Sequence, residues 1–130
     1  MKVLIIDDDF TSRKLLSKML SIYGECDIAV NGKEAVKAFE EALKNNEPYN
    51  LLCLDIMMPE MDGHQTLKKI RTIEKHNNIQ GLDGVKIIMI TALGDMENVT
   101  HAFREQCEGY LVKPINKEKL EKKLNEFGFI

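Results

Sequence analysis

The chain contains 130 residues, and its 18 Lys and Arg residues against 21 Asp and Glu residues give a formal net charge of −3. We expect a single domain over residues 1–130 with no output domain, because this length suits one domain with a substantial core. The mildly acidic charge argues against nucleic acid or an anionic membrane as a partner, because both attract basic patches. The N-terminal apolar run is too short for a signal peptide or a membrane span, so we expect a cytoplasmic protein.

Apolar runs and helical periodicities alternate along the chain. Short apolar runs predict strands, and apolar residues at spacings of three and four predict helices. Asn31-Gly32 predicts the turn that opens the second helix, and residues 76–84 predict an ordinary loop. The predicted strands are residues 2–6, 27–30, 51–54, 86–90 and 109–112, and the predicted helices are residues 11–23, 32–44, 63–75, 95–106 and 117–126.

Most of these strands are almost continuously apolar, which is typical of parallel strands covered on both faces. Their alternation with helices predicts an α/β fold, a three-layer αβα sandwich of five strands and five helices joined by right-handed crossovers. Periodicity does not give the strand order.

The cysteines and histidines show no metal-binding pattern. Cys26, Cys53 and Cys107 lack a CxxC spacing, and we expect them to be reduced and buried as small apolar side chains. The three histidines lack the spacing of zinc ligands. A zinc site is therefore not expected.

Four of the predicted strands end in polar residues. Asp7 and Asp8 follow the first strand, Asp55 the third, Thr91 the fourth and Lys113 the fifth. The carboxyl ends of parallel strands meet at one edge of the sheet, where open α/β sheets bind ligands. We therefore expect these side chains to converge in one shallow pocket.

This set of groups suits a divalent cation and a phosphoryl group. Three neighbouring carboxylates need a counter-charge, because like charges raise each other's pKa, and Mg²⁺ binds through carboxylates, waters and a substrate phosphate. Lys113 offers a cation and Thr91 a hydroxyl to phosphoryl oxygens. Asp55, the lone acid after the most apolar strand, is the best candidate for a nucleophile that forms an aspartyl phosphate.

The acidic run at residues 7–9 has a simpler explanation as well. Asp is favoured at the N-cap of a helix, so Asp7, Asp8 and Asp9 could merely cap the helix that follows. Polar residues at three further strand ends favour the pocket over this explanation.

The chain resembles the receiver domain of two-component response regulators, of the stand-alone, chemotaxis-regulator-like kind. The resemblance covers essentially all 130 residues and rests on four segments in the family's order: LIIDDD, LDIMMPEMDG, ITA and GYLVKP. It implies a five-stranded parallel sheet in the flavodoxin-like order 2-1-3-4-5. It also implies a receiver that accepts a phosphoryl group from a histidine kinase and signals through phosphorylation-dependent protein binding.

The resemblance assigns roles to the pocket residues. Asp55 would be the phosphoacceptor. The Mg²⁺ ligands would be Asp7, Asp8, Asp55 and the backbone carbonyl of Met57. The groups contacting the phosphoryl oxygens would be Thr91, Ala92 and Lys113.

The family also implies a switch made of Thr91 and Tyr110, and a cis peptide bond before Pro114. Ile115 replaces the Phe that is frequent after that proline, which affects local packing only. The signalling face would be formed by the fourth predicted helix, the fifth strand and the last helix. Its expected residues are Met96, Val99, Phe103, Tyr110 and Lys117.

The expected partners are a histidine kinase or phosphotransfer protein and a downstream protein that binds this face. The chain would be a monomer or a phosphorylation-dependent homodimer. It would assist its own phosphorylation and dephosphorylation without being a dedicated enzyme. A phosphorylation-independent binding module on the same fold is the alternative.

Two other classes fit less well. A phosphatase of the haloacid-dehalogenase kind needs a second acid two residues after the nucleophile, where this chain has Met57. A flavodoxin-like electron carrier needs a hydroxyl-rich or Gly-rich phosphate loop after the first strand, where this chain has acids.

Overall fold

The computed structural model describes residues 1–92 and 106–130. Its strands are β1 (Lys2–Ile6), β2 (Glu25–Ala29), β3 (Leu51–Asp55), β4 (Lys86–Thr91) and β5 (Gly109–Val112). Its helices are α1 (Phe10–Leu20), α2 (Gly32–Lys44), α3 (Gly63–His76) and a C-terminal helix (Lys117–Glu126). A short 3₁₀ helix (Gly81–Asp83) lies in the loop between α3 and β4.

The strands form one parallel sheet in the order β2-β1-β3-β4-β5. The α/β fold and the strand order implied by the resemblance are therefore confirmed. Strand β1 lies inside the sheet, where Val3 pairs with Cys26 on one side and with Leu51 on the other. All five strands point the same way, so their carboxyl ends share one edge.

Alternate residues of each inner strand face opposite layers of helices. On one face, Leu4 and Ile6 pack in a cluster with Phe39 of α2 and Ile70 of α3. On the other face, Val3 and Ile5 pack with residues of α1 and the C-terminal helix, including Leu16, Leu20, Leu120 and Leu124. Each fully buried Leu or Ile contributes about 1.5–3 kcal/mol, so these two clusters hold the strand ends in place.

The described α helices all begin at a side-chain cap. The capping residues are Asp9, Asn31, Asp62 and Asn116, and each accepts a hydrogen bond from the backbone N–H three residues later. Such a cap contributes about 1 kcal/mol. Within the acidic run at residues 7–9, the capping explanation therefore holds for Asp9, which also accepts from the Ser12 hydroxyl at 2.8 Å.

Two predicted elements differ from the structure by two residues or more at one end. The first helix ends at Leu20 and not at residue 23, because Tyr23 and Gly24 both donate to the carbonyl of Leu20 and turn the chain towards β2. Strand β2 spans Glu25–Ala29 and not residues 27–30. It lies at the sheet edge and is only partly covered, which explains its weak apolar pattern and leaves Cys26 half-buried, against the expectation.

The helix count and the long loop also differ from the prediction. The predicted helix at residues 95–106 lies outside the described residues except for Gln106, which occupies a turn with a φ of 72°. The described part of the chain therefore contains four α helices where five were predicted for the whole. Residues 76–84, predicted as an ordinary loop, include the 3₁₀ turn.

Candidate functional site

Parallel register brings the predicted site residues to one edge of the sheet. Asp55 ends β3 and Thr91 ends β4, whereas Asp7 and Lys113 directly follow β1 and β5. The last register pairs are Ile6 with Leu54, Asp55 with Ile90, and Thr91 with Val112. The ends of four adjacent strands therefore bring together two carboxylates, one hydroxyl and one ammonium group, as the sequence predicts.

Asp7, Asp8 and Asp55 form one carboxylate cluster. Each offers an oxygen that lies within 4.8 Å of the others. Asp7 and Asp55 are buried, with 1% and 4% of their surface exposed, whereas Asp8 is exposed. The cluster is therefore open to solvent on the side of Asp8 and enclosed on the side of the sheet.

The two oxygens of Asp7 have different environments. Oδ1 accepts a hydrogen bond of 2.9 Å from the backbone N–H of Asp9. Oδ2 is buried and accepts no hydrogen bond from any residue that the structure describes. A buried carboxylate oxygen without a donor is costly, so this atom is suited to a cationic ligand.

Lys113 supplies the positive charge that faces these acids. Its Nζ lies 3.5 Å from Oδ2 of Asp7 and 3.6 Å from Oδ2 of Asp55. Its backbone N–H donates to the carbonyl of Thr91 at 2.7 Å, and the following peptide bond to Pro114 is cis. The ammonium is thus held over the cluster at salt-bridge distance, with neither contact at ideal hydrogen-bond length.

Asp55 has an unusual protonation equilibrium. Burial and the nearby charge of Asp7 raise the pKa of the Asp55 carboxyl to about 7, against the opposing effects of Lys113 and of the backbone N–H of Met57. The single ammonium group therefore does not offset the clustered negative charge. A divalent cation would do so, because it favours the ionised carboxylates.

The donor set fits Mg²⁺. Hard oxygen ligands at the rim of a solvent-open cluster suit an ion that retains several waters, and within residues 1–92 and 106–130 no sulfur or imidazole ligand belongs to the cluster. The backbone N–H of Met57 donates to Oδ1 of Asp55 at 3.2 Å, which folds the chain around this acid. The backbone of Met57 therefore belongs to the same turn as Asp55.

The remaining predicted site residues lie on β4, on β5 or directly after them. Thr91 is 2% exposed, and its hydroxyl donates to the carbonyl of Ala92 at 3.3 Å. Tyr110 is half-buried in β5 and packs against the core on the side of α2 and α3. Met96, Val99 and Phe103 of the expected signalling face lie outside the described residues.

Two contributors to the site were missed by sequence reasoning. A Cβ atom on Gly63 would lie 2.5 Å from the carbonyl oxygen of Asp55, so only glycine allows α3 to begin against the end of β3. Arg13 donates from Nη1 to the carbonyl of Asp7 at 2.9 Å, and its guanidinium lies 5.7 Å from the ring centroid of Phe10. Gly63 is the last residue of the LDIMMPEMDG segment, and its place in that segment could have indicated its role. Nothing in the sequence indicated a role for Arg13.

Together, the sheet and its acidic edge define a class: an αβα sandwich with a carboxylate cluster and a lysine at the carboxyl ends of its strands. The family model of the response regulator receiver domain matches residues 3–125. The chain belongs to this family, and it is a receiver domain of two-component signal transduction.

Individual relatives agree with this assignment. The chain is 32% identical over 126 residues to a chemotaxis protein CheY homolog of Campylobacter jejuni, covering 97% of this chain and 91% of that protein. It is similar to a chain in the co-crystal structure of the Saccharomyces cerevisiae histidine phosphotransfer protein Ypd1 and the receiver domain of Ssk1, with a TM-score of 0.85 and 30% identity over 98% of this chain and 88% of that one. The CheX-CheY-BeF3-Mg complex of Borrelia burgdorferi matches with a TM-score of 0.81 and 29% identity over 98% of this chain and 89% of that one.

Other relatives are much longer than the region that they share with this chain. The match covers 10% of the osmosensing histidine protein kinase SLN1 of Saccharomyces cerevisiae and 46% of a probable transcriptional regulator of Cyanophora paradoxa. Among the described residues, no helix has the length and apolar character needed to span a membrane.

Proposed function

We propose that this receiver domain accepts a phosphoryl group on Asp55 with the help of Mg²⁺ and then signals through altered protein binding. The observation that supports it best is the position of Asp55: a buried carboxylate at a strand end, 3.6 Å from the ammonium of Lys113 and clustered with two further acids. The donor would be the phosphohistidine of a histidine kinase or of a phosphotransfer protein. The yeast structure joins a histidine phosphotransfer protein to a receiver domain, and SLN1 is a histidine protein kinase. Both relatives support a donor of this kind.

In the proposed reaction, a carboxylate oxygen of Asp55 forms a bond to phosphorus while the phosphorus–nitrogen bond of the donor histidine breaks. The imidazole leaves with the electron pair of that bond and takes up a proton from solvent. The acyl phosphate that forms on Asp55 carries the signal. Asp55 must be ionised to attack, so its raised pKa makes the neighbouring positive charges part of the chemistry.

The other pocket residues would stabilise the transferring group. Asp7, Asp8, Asp55 and the Met57 carbonyl would hold Mg²⁺, which supplies positive charge to the phosphoryl oxygens. Lys113 would contact one phosphoryl oxygen, and the Thr91 hydroxyl and the Ala92 backbone would contact others. Phosphoryl transfer depends largely on such positioning and charge neutralisation.

The output would begin at Thr91. Its hydroxyl now donates to the Ala92 carbonyl at 3.3 Å, a long bond that is readily exchanged for one to a phosphoryl oxygen. That exchange would move the end of β4 towards Asp55 and allow Tyr110 of β5 to repack. A downstream protein, or a second copy of the receiver, would then bind the face that includes Tyr110 and Lys117.

Intact-mass measurement after incubation with acetyl phosphate and Mg²⁺ tests the proposal. One phosphoryl adduct should form on the wild type, and both chelation of Mg²⁺ and the substitution Asp55→Asn should abolish it. Asp83→Asn, an equivalent change at an exposed acid of the 3₁₀ turn, should leave the adduct unchanged. A folded wild type without an adduct would instead indicate a phosphorylation-independent binding module.

A further inference from the structure

Helix α3 has a charge opposite to that of the rest of the protein. It contains four basic residues, Lys68, Lys69, Arg71 and Lys75, and one acid, Glu74. The helix therefore contributes +3 to a chain whose formal charge is −3, so the remainder carries −6. Such a concentration of positive charge produces a local positive field at this helix. It is shared by α1, whose Arg13, Lys14 and Lys18 also give +3 without an acid.

The two inward charges of α3 neutralise each other. Glu74 is 4% exposed and accepts a hydrogen bond of 2.6 Å from Nη1 of Arg71. Arg71 also donates to the carboxylate of Glu108 and to the carbonyls of Val85 and Gln106. Neither residue is therefore available to balance the charges on the outer surface of the helix.

The outer surface carries only positive charge. Lys68, Lys69 and Lys75 are exposed, and none of them forms an ion pair with another residue of the described ranges 1–92 and 106–130. Lys68 and Lys75 are seven residues apart and thus lie about 10 Å apart along one side of the helix. We call these three residues the α3 lysine face.

Concave surfaces adjoin this face on both sides. One, of about 650 Å³, is lined by Lys33 of α2, Glu60, Met61 and Gln65 as well as by Lys68 and Lys69. The other, of about 840 Å³, is lined by Lys68, Lys75 and Lys86 together with the loop that contains the 3₁₀ turn. Lys33 and Lys86 thus extend the positive charge beyond the helix into two recesses that a chain segment could enter.

We propose that the α3 lysine face is a docking site for a short acidic segment of a partner protein. Carboxylates on such a segment would pair with Lys68, Lys69 and Lys75. At the edge of the larger recess, the side chain of Leu82 is 91% exposed and would contact an apolar residue of the segment. Three ammonium groups that pair with no acid of the described residues, next to one exposed apolar side chain, match an acidic, partly apolar peptide.

Nucleic acid matches this surface less well. A polynucleotide that extended beyond α3 would meet a protein body of charge −6, and the recesses also contain the acids Glu60 and Glu108. The positive surface is only about as long as two turns of helix, which suits a few carboxylates. A second copy of this chain would need to present its own acidic surface to α3, which makes a heterologous, head-to-tail contact and not the two-fold symmetric contact that is most common in dimers.

Fluorescence anisotropy with a labelled oligoglutamate peptide that contains leucine tests this proposal on the unphosphorylated protein. The triple variant Lys68→Gln, Lys69→Gln, Lys75→Gln should weaken binding at least tenfold. The triple variant Lys37→Gln, Lys44→Gln, Lys122→Gln removes three equally exposed lysines elsewhere and should change it less than twofold. Leu82→Ser should weaken binding of this peptide but not of an oligoglutamate without leucine.

Other outcomes would overturn the proposal. Equal losses in the two triple variants would indicate a general effect of net charge, and the absence of peptide binding to the wild type at low salt would exclude the site. Tighter binding of a single-stranded oligonucleotide of the same charge would assign the surface to nucleic acid. Concentration-dependent dimers in sedimentation experiments that the first triple variant abolishes would assign it to a second copy of the chain. None of these results depends on phosphorylation of Asp55.

Discussion

The ammonium nitrogen of Lys113 lies 3.6 Å from Oδ2 of Asp55. Asp55 ends β3 and Lys113 follows β5, and β4 lies between these two strands in the sheet. The lysine lowers the pKa of the Asp55 carboxyl, but burial and Asp7 outweigh it and leave that pKa near 7. Lys113 therefore offsets the negative charge around Asp55 only in part, and its partly exposed ammonium group is accessible to a phosphoryl oxygen.

Replacing Lys113 with methionine should slow phosphorylation. The substitution removes a positive charge that favours ionised Asp55, so a smaller fraction of Asp55 is ionised at pH 7. In the proposed reaction, it also removes a contact to the phosphoryl group. We expect the initial rate of adduct formation with acetyl phosphate to fall about tenfold or more. Lys122→Met, an exposed lysine of the C-terminal helix, should have no effect. Equal rates for wild type and Lys113→Met would show that the lysine does not assist transfer.

Replacing Asp55 with asparagine should stabilise the protein without Mg²⁺. The folded-state pKa of Asp55 is raised from 3.8 to about 7, so the native state binds more protons than the unfolded state between these values. Stability therefore falls as the pH rises from about 4 to 7, and the penalty is complete above pH 7. In EDTA at pH 8, Asp55→Asn should raise the unfolding midpoint by several degrees, and near pH 4 the gain should nearly vanish.

Added Mg²⁺ provides the control for this experiment. The ion should raise the unfolding midpoint of the wild type much more than that of Asp55→Asn, because we propose that it binds the folded carboxylate cluster and not the unfolded chain. A variant that is less stable than the wild type at pH 8 would contradict the argument that clustered negative charge destabilises the metal-free protein.

Arg13 should affect Mg²⁺ binding without touching the ion. Its hydrogen bond of 2.9 Å to the Asp7 carbonyl fixes the turn that aims the Asp7 carboxylate. Arg13→Ala should therefore raise the Kd for Mg²⁺ about tenfold, as is typical when a group that orients a ligand is lost. Isothermal titration of Mg²⁺ into the unphosphorylated protein measures this.

Two further variants separate positioning by Arg13 from a general effect of charge. Lys14→Ala removes the neighbouring exposed cation and should leave the Kd almost unchanged. Arg13→Lys keeps a cationic donor and should recover part of the affinity. If Lys14→Ala and Arg13→Ala weakened Mg²⁺ binding equally, the hydrogen bond to Asp7 would have no specific role.

The strand ends were predictable because their signals are local. The apolar runs before Asp55 and Thr91 indicate buried parallel strands, and parallel strands bring their ends together whatever their order. The bounds of β5 and of the C-terminal helix agree with the prediction, since Gly109 and Asn116 mark them in the sequence. The edge strand β2 was predicted to begin two residues and to end one residue too late, because half-exposed residues give a weaker apolar pattern.

Contacts between distant residues were not predictable in this way. Arg13 and Arg71 look like ordinary solvated residues of amphipathic helices, and only the fold brings them to backbone carbonyls on other elements. Glu74 likewise has the spacing of a surface acid, yet it is buried. Long charged side chains can satisfy either environment, so their partners depend on tertiary structure.

Arg71 should contribute strongly to stability. Its guanidinium pairs with Glu74 of the same helix, and it links α3 to the residues before β4 and β5 through the carboxylate of Glu108 and the carbonyls of Val85 and Gln106. Arg71→Met would keep much of the apolar contact but leave the buried Glu74 carboxylate without its cation. Loss of one partner from a buried ion pair costs about 3–5 kcal/mol, measurable by urea unfolding at pH 7.

The pH dependence of Arg71→Met distinguishes lost charge pairing from lost packing. Burial already raises the pKa of Glu108 against the opposing effect of Arg71, so without Arg71 that pKa should rise further. A raised carboxyl pKa lowers the free energy of unfolding fully above the folded-state pKa and not at all below the unfolded-state pKa. The loss of stability in Arg71→Met should therefore shrink as the pH falls from 7 to 5. Lys75→Met, on the outer surface of the same helix, should cost less than about 0.5 kcal/mol at either pH. A defect in Arg71→Met that is independent of pH would identify the loss as one of packing alone.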